Sequence, residues 1–261
     1  KGLLFAPDPS SQKVCTIGGN IAENAGGPHC LAVGSTTNHV IGLEVVTPAG
    51  DIIWLGGENY EYPGYDLRSI FIGSEGTLGI ATKIIVKLVD VAPEVKTIVS
   101  SFSKMDSACD STSEIIGAGI IPAALEMLDK VTLDAVEPVY HPGFAEGTEA
   151  VLLVEAEGSE QKVNDQMNKI INICKSNGAT EIRTAKNDIE REELWKTRKD
   201  AIGAMGTLAP NYYLVDGVVP RTQLKNMMNK ISTVASELDL IIANVFHAGD
   251  GNLHPCILFD E

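Results

Sequence analysis

Two histidines near the carboxyl end of the 261-residue chain have the type and spacing of metal ligands. His247 and His254 bracket the segment His-Ala-Gly-Asp-Gly-Asn-Leu-His, whose centre predicts a tight turn between two apolar strands. Such a turn would bring both imidazoles together, and neutral imidazole is a ligand suited to Zn, Fe or Mn. Two ligands do not complete a site, so a plain hairpin turn shaped by Asp250 is the competing interpretation.

Arg198 is the candidate for holding an anionic substrate. It lies in the segment Leu-Trp-Lys-Thr-Arg on a predicted helix, where most arginines are simply solvated. A guanidinium group holds a carboxylate through two parallel hydrogen bonds, which lysine cannot do. A chain with a formal net charge of −15 also needs a local cation to attract an anion. We therefore favour Arg198 over Lys199.

Glycine-rich segments in the first third of the chain predict loops that could hold a cofactor. Residues 16–27 place Gly and Asn together, and the exposed backbone N–H groups of such a nest suit a pyrophosphate. The spacing matches neither the dinucleotide-binding nor the P-loop pattern. Residues 73–80 run from Gly-Ser-Glu-Gly directly into a strand and could lie flat against a planar ring. Tight turns and a strand-entry bulge without any ligand are the alternatives.

The composition predicts a folded protein and excludes several classes. Hydrophobic residues make up 44% and charged residues 21%, as in ordinary globular domains. The 20 basic and 35 acidic residues give a surface that repels phosphate backbones, so no nucleic-acid partner is expected. Five scattered cysteines without a C-x-x-C pair predict a reducing, cytoplasmic location. No apolar run approaches the roughly 18 residues of a membrane-spanning helix, so none is expected.

Two compositional halves meet near Pro93 and predict domains at 1–92 and 93–261. The first half contains a predicted hairpin at 41–47 and 51–55 and a strand at 80–89. The second half follows the order β-α-β-β-α-β, the split βαβ plan, which predicts a two-layer α+β domain with helices on one face of an antiparallel sheet. Its predicted strands lie at 95–102, 123–128, 151–156 and 180–184, and its helices at 103–117 and 159–177, capped by Ser103 and Ser159. A helix at 188–204, a strand at 212–219, a helix at 221–238 and strands at 241–246 and 253–259 follow.

Four motifs, in this order, resemble the flavin-binding half of the FAD-linked oxidases: Pro7-Asp8-Pro9-Ser10-Ser11, Thr16-Ile17-Gly18-Gly19-Asn20, Glu23-Asn24-Ala25-Gly26-Gly27 and Gly73-Ser74-Glu75-Gly76-Thr77-Leu78-Gly79. The resemblance covers essentially the whole chain. It extends to the glycolate oxidase catalytic subunit and to D-lactate and D-2-hydroxyglutarate dehydrogenases. It implies a vanillyl-alcohol-oxidase type fold, in which residues 1–92 form the C-terminal part of the FAD-binding domain. Residues 93–261 would then form an α+β cap domain with a ferredoxin-like core.

The resemblance also implies roles for individual residues. Arg198 would hold the substrate carboxylate, and His247 and His254 would bind a divalent metal (Zn, Fe or Mn) beside the flavin. A glutamate ligand and a histidine base are expected beyond Glu261. Ile80 is placed near the adenine, and the residues implied to contact FAD are Pro9, Ser10, Thr16, Gly18, Gly19, Asn20, Asn24, Gly26, Gly27, Ser35, Thr36, Thr37, Glu75, Gly76, Gly79 and Ile80.

The function implied is metal-assisted oxidation of a D-2-hydroxy acid, glycolate or D-lactate, by hydride transfer to FAD. An electron-transfer flavoprotein or an iron-sulfur subunit would reoxidise the flavin, and any membrane attachment would run through that partner. The chain begins at Lys1 without a first phosphate-binding loop, so we expect a fragment. The alternatives are a non-catalytic fragment or subunit module, and an oxygen-using alcohol or sugar oxidase of the same fold.

Overall fold

The computed structural model describes residues 1–59 and 63–260, so Glu261, the last residue of the predicted second domain, lies outside it. The chain folds as two compact units, Lys1–Val91 and a second unit that begins at Ala92. Among the residues described, no helix combines the length and the apolar character that crossing a bilayer requires.

The first unit is built on a three-stranded antiparallel sheet of order β3-β2-β4. The predicted hairpin at 41–55 is confirmed, since β2 pairs with β3 along its length. The predicted strand at 80–89 is shorter than expected, because β4 ends at Val86. The elements of this unit are β1 (Leu3–Leu4), α1 (Ile17–Glu23), α2 (Cys30–Val33), β2 (Val40–Val46), β3 (Ile52–Gly56), α3 (Leu67–Phe71), β4 (Ile80–Val86) and β5 (Val89–Asp90).

The glycine cluster after Thr16 forms helix α1 instead of the predicted loop. The Thr16 side chain caps the helix by accepting a hydrogen bond from the N–H of Gly19 (3.0 Å). Asn24 ends it in a left-handed conformation with a φ of 48°. Ile21 is buried in the core of the unit with Val40 and Leu43. The cap and this buried anchor offset the low helix propensity of two successive glycines.

The second unit is built on one large antiparallel sheet. Its strands are β6 (Glu94–Phe102), β7 (Ala124–Asp129), β8 (Ala150–Gly158), β9 (Ala179–Thr184), β10 (Asn211–Leu214), β11 (Gly217–Val218), β12 (Ile241–His247) and β13 (Asn252–Phe259). They lie in the order β10-β13-β12-β7-β8-β6-β9, with β11 also paired to β13. The order β7-β8-β6-β9 is that of the split βαβ plan, so this prediction is confirmed. The strands β12, β13 and β10 extend the same sheet beyond β7.

Helices cover both faces of this sheet, and the prediction of helices on one face was wrong. Strands β7 and β8 are buried at consecutive residues, which requires cover on each side. On one face, Leu133, Val136 and Trp195 pack against strand residues such as Val151 and Leu153. The helices are α4 (Met105–Gly117), α5 (Lys130–Tyr140), α6 (Glu160–Ser176), α7 (Asp188–Lys199), α8 (Ala201–Ala204) and α9 (Leu224–Glu237).

Helix α5 was not predicted, and several predicted boundaries differ from those observed. Helix α5 has only 11 residues and contains Pro138, so its sequence does not show a typical helical pattern. Residue Lys104, and not Ser103, is the N-cap of α4, while Ser159 is the N-cap of α6 without a side-chain hydrogen bond. The predicted helix at 188–204 divides into α7 and α8, and the predicted strand at 212–219 into β10 and β11. A short 3₁₀ turn, Arg221–Gln223, precedes α9.

Asp129 joins three of these elements at the start of α5. One carboxylate oxygen accepts a hydrogen bond from the backbone N–H of Thr132 (2.9 Å) and caps the helix. The other accepts one from the side-chain amide of Asn244 in β12 (2.7 Å). The Thr132 hydroxyl donates to the backbone carbonyl of Asn244 (3.1 Å). Burial raises the pKa of Asp129, so these hydrogen bonds compensate a desolvated group.

We predict that Asp129→Ala lowers the free energy of unfolding by about 2–4 kcal/mol, because it removes a helix cap and leaves the Asn244 amide unpaired. The matched control is Asn187→Ala, which removes the exposed cap of α7 and should cost about 1 kcal/mol. Urea unfolding followed by Trp195 fluorescence, in a Trp54→Phe background, measures both. Equal losses in the two variants would contradict the prediction.

Candidate functional site

The two histidines flank a tight turn and face each other. His247 is the last residue of β12, and His254 lies near the start of β13. The strand register pairs His247 with Asn252 and Val245 with His254, which places both imidazoles on one face of the sheet. Their ring centroids are 5.2 Å apart and nearly perpendicular. Gly251 in the turn has a φ of 82°, and a Cβ there would lie 2.1 Å from the carbonyl oxygen of Val219.

A buried glutamate on the neighbouring strand β7 joins His247 to Arg198. Both carboxylate oxygens of Glu126 lie 2.9 Å from Nδ1 of His247. One of them lies 2.5 Å from Nη2 of Arg198. Glu126 is 1% exposed and Arg198 3% exposed, so this charge pair is almost wholly removed from water. Glu126 was not predicted from the sequence, although a carboxylate inside the apolar strand Ala-Leu-Glu-Met-Leu already required a buried partner.

The electrostatics of this cluster follow from burial and from the neighbouring charges. Burial opposes the ionisation of Glu126, but the charge of Arg198, assisted by His247, outweighs it and holds the pKa of that carboxyl below its usual range. Burial lowers the pKa of His254, and proximity to His247 lowers it further. Burial raises the pKa of Asp250 in the turn. The cluster thus holds an ionised carboxylate and an imidazole, His254, biased towards its neutral form.

Helix α7, which carries Arg198, is fixed to the sheet by a second buried carboxylate. Glu155 on β8 accepts hydrogen bonds from the indole N–H of Trp195 (2.6 Å) and from the hydroxyl of Thr97 (2.5 Å). Arg191, one turn before Trp195, approaches the same carboxylate at 3.7 Å. The positions 191, 195 and 198 lie on one face of a helix. Two glutamates on adjacent strands therefore set the rotation of α7, which aims Arg198 at the histidine pair.

Arg198 keeps hydrogen-bonding capacity in spite of its contact with Glu126. Glu126 occupies Nη2, whereas Nε has no hydrogen-bond partner among the residues described. A guanidinium group carries five N–H donors in a fixed fork. A carboxylate presented to this edge would therefore find unused donors.

Both histidines have a carboxylate near Nδ1, but among the residues described only His247 makes a hydrogen bond to its carboxylate through that atom. The partner of His247 is Glu126, and Nδ1 of His254 lies 3.3 Å from the carboxylate of Asp216. The side-chain amide of Asn252 donates to that same Asp216 oxygen (2.7 Å). Histidines that bind metals usually have such a partner on the nitrogen that does not ligate. His247 and His254 could supply two ligands of a metal site. The described ranges contain no group of three His, Cys, Asp or Glu residues suited to a metal ion, so further ligands are not provided there.

In the first unit, the fold brings three of the glycine-rich and hydroxyl-bearing segments together around α1. The side-chain oxygen of Asn24 accepts hydrogen bonds from the backbone N–H (2.9 Å) and the hydroxyl (2.8 Å) of Thr37. The backbone N–H groups of Gly73 and Glu75 donate to the carbonyl oxygens of Ile21 (2.8 Å) and Ala22 (2.9 Å). The segments that meet here contain Thr16, Gly18, Gly19, Asn20, Asn24, Ser35, Thr36, Thr37, Glu75 and Gly76.

A fourth segment packs beside Gly27. A Cβ on Gly27 would lie 2.2 Å from the backbone oxygen of Asp8, so only glycine allows this approach. The Asp8 carboxylate also contacts Nδ1 of His29 (2.8 Å). Pro9 is buried, while Ser10 and Gly26 are exposed. Two predicted cofactor residues are therefore available at the surface.

Gly76 presents bare backbone at the surface of the first unit. It has a φ of 77°, and a Cβ placed on it would meet no atom within 4 Å. Gly79, in contrast, is required by the approach of the Val46 carbonyl oxygen, which would lie 2.4 Å from a Cβ at this position. Ile80 is the first residue of β4 and is 69% exposed. The exposed backbone of Gly76 and the apolar side chain of Ile80, four residues later, are therefore both accessible to a ligand.

Comparison with known proteins finds matches in both units. Residues 92–261 match the family model "FAD linked oxidases, C-terminal domain", and residues 1–56 match the model "FAD binding domain". The chain is 45% identical over 261 residues to the glycolate oxidase subunit GlcD of Bacillus subtilis, covering 100% of this chain and 56% of that protein. It is 33% identical over 270 residues to a probable mitochondrial D-lactate dehydrogenase of Danio rerio, covering 99% and 52%.

The fold is also found among solved structures. An alkyldihydroxyacetonephosphate synthase superposes with a TM-score of 0.76 at 18% identity, covering 98% of this chain and 52% of that chain. The chain spans about half the length of the relatives that it matches. The α+β architecture is that of the vanillyl-alcohol-oxidase type, and the predicted fold class is confirmed. The chain belongs to the family of FAD-linked oxidases.

Proposed function

We propose that the protein carrying this chain is an FAD-dependent dehydrogenase that oxidises a D-2-hydroxy acid, glycolate or D-lactate, to the 2-oxo acid. The observation that carries the proposal is the buried guanidinium of Arg198, which has unused donors and lies in one polar cluster with a pair of imidazoles. This arrangement suits a substrate with a carboxylate next to a hydroxyl group. The similarity to proteins named as a glycolate oxidase subunit and a D-lactate dehydrogenase supports the substrate class.

The residues of the chain would bind and orient the substrate. Arg198 would hold the carboxylate through Nε and the guanidinium hydrogens that Glu126 does not engage, which fixes the position of the adjacent α-carbon. His247 and His254 would hold a divalent metal, Zn, Fe or Mn, whose charge lowers the pKa of the substrate hydroxyl group. FAD, when bound, supplies the hydride acceptor. The third metal ligand and the base that removes the hydroxyl proton are not assigned to any described residue.

The cofactor would lie on the segments gathered around α1. In this proposal the backbone of Gly18 and the exposed hydroxyl of Ser10 face the FAD phosphates and ribose. The N–H of Gly19 and the hydroxyls of Thr36 and Thr37 donate to protein groups, so these residues would shape the cradle and not contact the phosphates through those donors. An electron-transfer flavoprotein or an iron-sulfur subunit would accept the electrons, in keeping with the word "subunit" in the name of the B. subtilis relative. We place the protein in the cytoplasm, and any contact with a membrane would run through that partner.

The first prediction concerns the carboxylate. Arg198→Lys keeps a cation beside Glu126 but loses the planar fork, so kcat/KM for glycolate or D-lactate should fall about 10- to 100-fold, as expected for one hydrogen bond to a charged group. Anaerobic flavin bleaching measured over a series of substrate concentrations gives this ratio. Lys196→Ala, a cation on the exposed side of the same helix, is the control. Unchanged bleaching in Arg198→Lys would point instead to an alcohol or sugar oxidase.

The second prediction concerns the metal. Dialysis against a chelator should abolish flavin bleaching by the hydroxy acid while the flavin absorbance near 450 nm remains. Adding back Zn²⁺, Mn²⁺ or Fe²⁺ should restore it, because the metal acts on the substrate and not on the flavin site. His254→Gln should lower the bound metal measured by elemental analysis, whereas His141→Asn at the exposed end of α5 should not. Full activity in a metal-free preparation would refute the metal assignment.

The third prediction concerns the flavin. Gly76→Ala and Gly50→Ala place a methyl group at positive φ in open space, so both variants should lose similar stability, about 1–2 kcal/mol. Only Gly76→Ala should weaken FAD binding, roughly tenfold or more, because its methyl group fills the space proposed for the cofactor. Quenching of flavin fluorescence during titration gives the dissociation constant. Equal FAD affinity in the two variants would place the cofactor elsewhere.

A further inference from the structure

We infer that Glu126 is a positioning residue for His247: its carboxylate fixes the tautomer and the ring orientation of that imidazole, so that Nε2 is presented as a metal ligand. The inference rests on the proposed function, since it concerns the metal that His247 would hold. Glu126 lies outside the four motifs that resemble the FAD-linked oxidases, so the resemblance assigns it no role.

The hydrogen-bonding chemistry of the pair carries the inference. Glu126 places both oxygens 2.9 Å from Nδ1 of His247, so the imidazole edge points at the centre of the carboxylate. An ionised carboxylate only accepts hydrogen bonds, and a neutral imidazole has a single N–H. In the neutral imidazole that a metal ion binds, Nδ1 therefore carries the proton, and the lone pair of His247 is left on Nε2. That is the tautomer which a metal ion requires on this side of the ring.

The surroundings of Glu126 hold its carboxylate in place. Strand β7 is hydrogen-bonded on one edge to β8 and on the other to β12, which itself carries His247. The side chain is 1% exposed, so water does not compete for its oxygens. The guanidinium of Arg198 pairs with the oxygen nearest to it and opposes any rotation of the carboxylate. Contacts from α7 and β12 and exclusion of water therefore hold the carboxylate in the observed orientation.

A positioning role predicts a specific change in metal affinity. Partners that orient a metal-binding histidine typically contribute about 10- to 100-fold to metal affinity. In Glu126→Gln, the amide either accepts a hydrogen bond from Nδ1–H or donates one to Nδ1. The second arrangement moves the imidazole proton to Nε2 and removes the ligand. Because both arrangements become available, the metal should bind more weakly although both histidines remain.

The test measures Zn²⁺ affinity of the whole protein by calorimetry in three forms. Glu126→Gln should bind Zn²⁺ about 10- to 100-fold more weakly than the wild type. The control is Glu155→Gln, which removes a buried carboxylate that holds the same helix through Trp195. That variant should keep the wild-type affinity within about threefold. Equal affinities in Glu126→Gln and the wild type would overturn the inference, as would equal losses in both variants.

A measurement on the metal-free wild type tests the inference without any variant. Nitrogen-15 NMR of the imidazole groups distinguishes the two tautomers, and His247 should carry its proton on Nδ1. A neutral His247 with its single proton on Nε2 would overturn the inference, even if Glu126→Gln failed to fold. This outcome is separate from a failure of the proposed function: a wild type that binds no Zn²⁺ and yet shows the Nδ1 tautomer would refute the metal, while the orientation of His247 by Glu126 would stand.

Discussion

The arrangement of the second unit depends on one buried carboxylate, that of Glu126. A charge in the middle of an apolar strand costs several kcal/mol unless partners compensate it, and here the compensation comes from two separate elements. Arg198 lies on α7 and His247 at the end of β12. If either element shifted, the buried charge of Glu126 would lose a partner. Removal of one partner of such a pair typically costs about 3–5 kcal/mol, which is a large part of the stability of a domain. The need to compensate the buried charge of Glu126 thus favours the arrangement in which Arg198 and His247 lie side by side.

The sheet supplies the rigidity that this compensation requires. Strands β7 and β8 are covered on both faces, and Glu126 pairs with Leu153, so its carboxylate lies on the same face as that of Glu155 two residues further along β8. Glu155 binds α7 through Trp195, while Glu126 meets the same helix through Arg198. A helix held at two points about a turn apart cannot rotate freely about its axis. The direction of Arg198 is therefore set by the packing of strand and helix, and a site built on regular elements is positioned more accurately than one on loops.

The sequence predicted the parts of this site that local patterns control. The turn between His247 and His254, helix α6 and the order of the first four strands of the sheet follow from glycine placement and from apolar periodicity. Helix α5 was not predicted, because it is short and contains Pro138, so its apolar periodicity is weak. Helix α1 was not predicted, because its stability comes from the Thr16 cap and from tertiary burial. The role of Glu126 in the site was not predicted for a different reason. Its partners lie 72 and 121 residues away in the chain, and no local pattern encodes such a meeting.

The charge balance of the cluster bears on how an acidic protein would bind an acid. Glu126 neutralises Arg198, so the pair offers a substrate carboxylate little net attraction, and the chain as a whole carries −15. What Arg198 offers is direction, through donors that Glu126 leaves unused. Under the proposed function, the net positive charge has to come from the divalent metal on His247 and His254. Recognition would then be divided between two cations: the metal supplies the attraction and acts on the hydroxyl group, and Arg198 selects for the carboxylate and fixes its orientation.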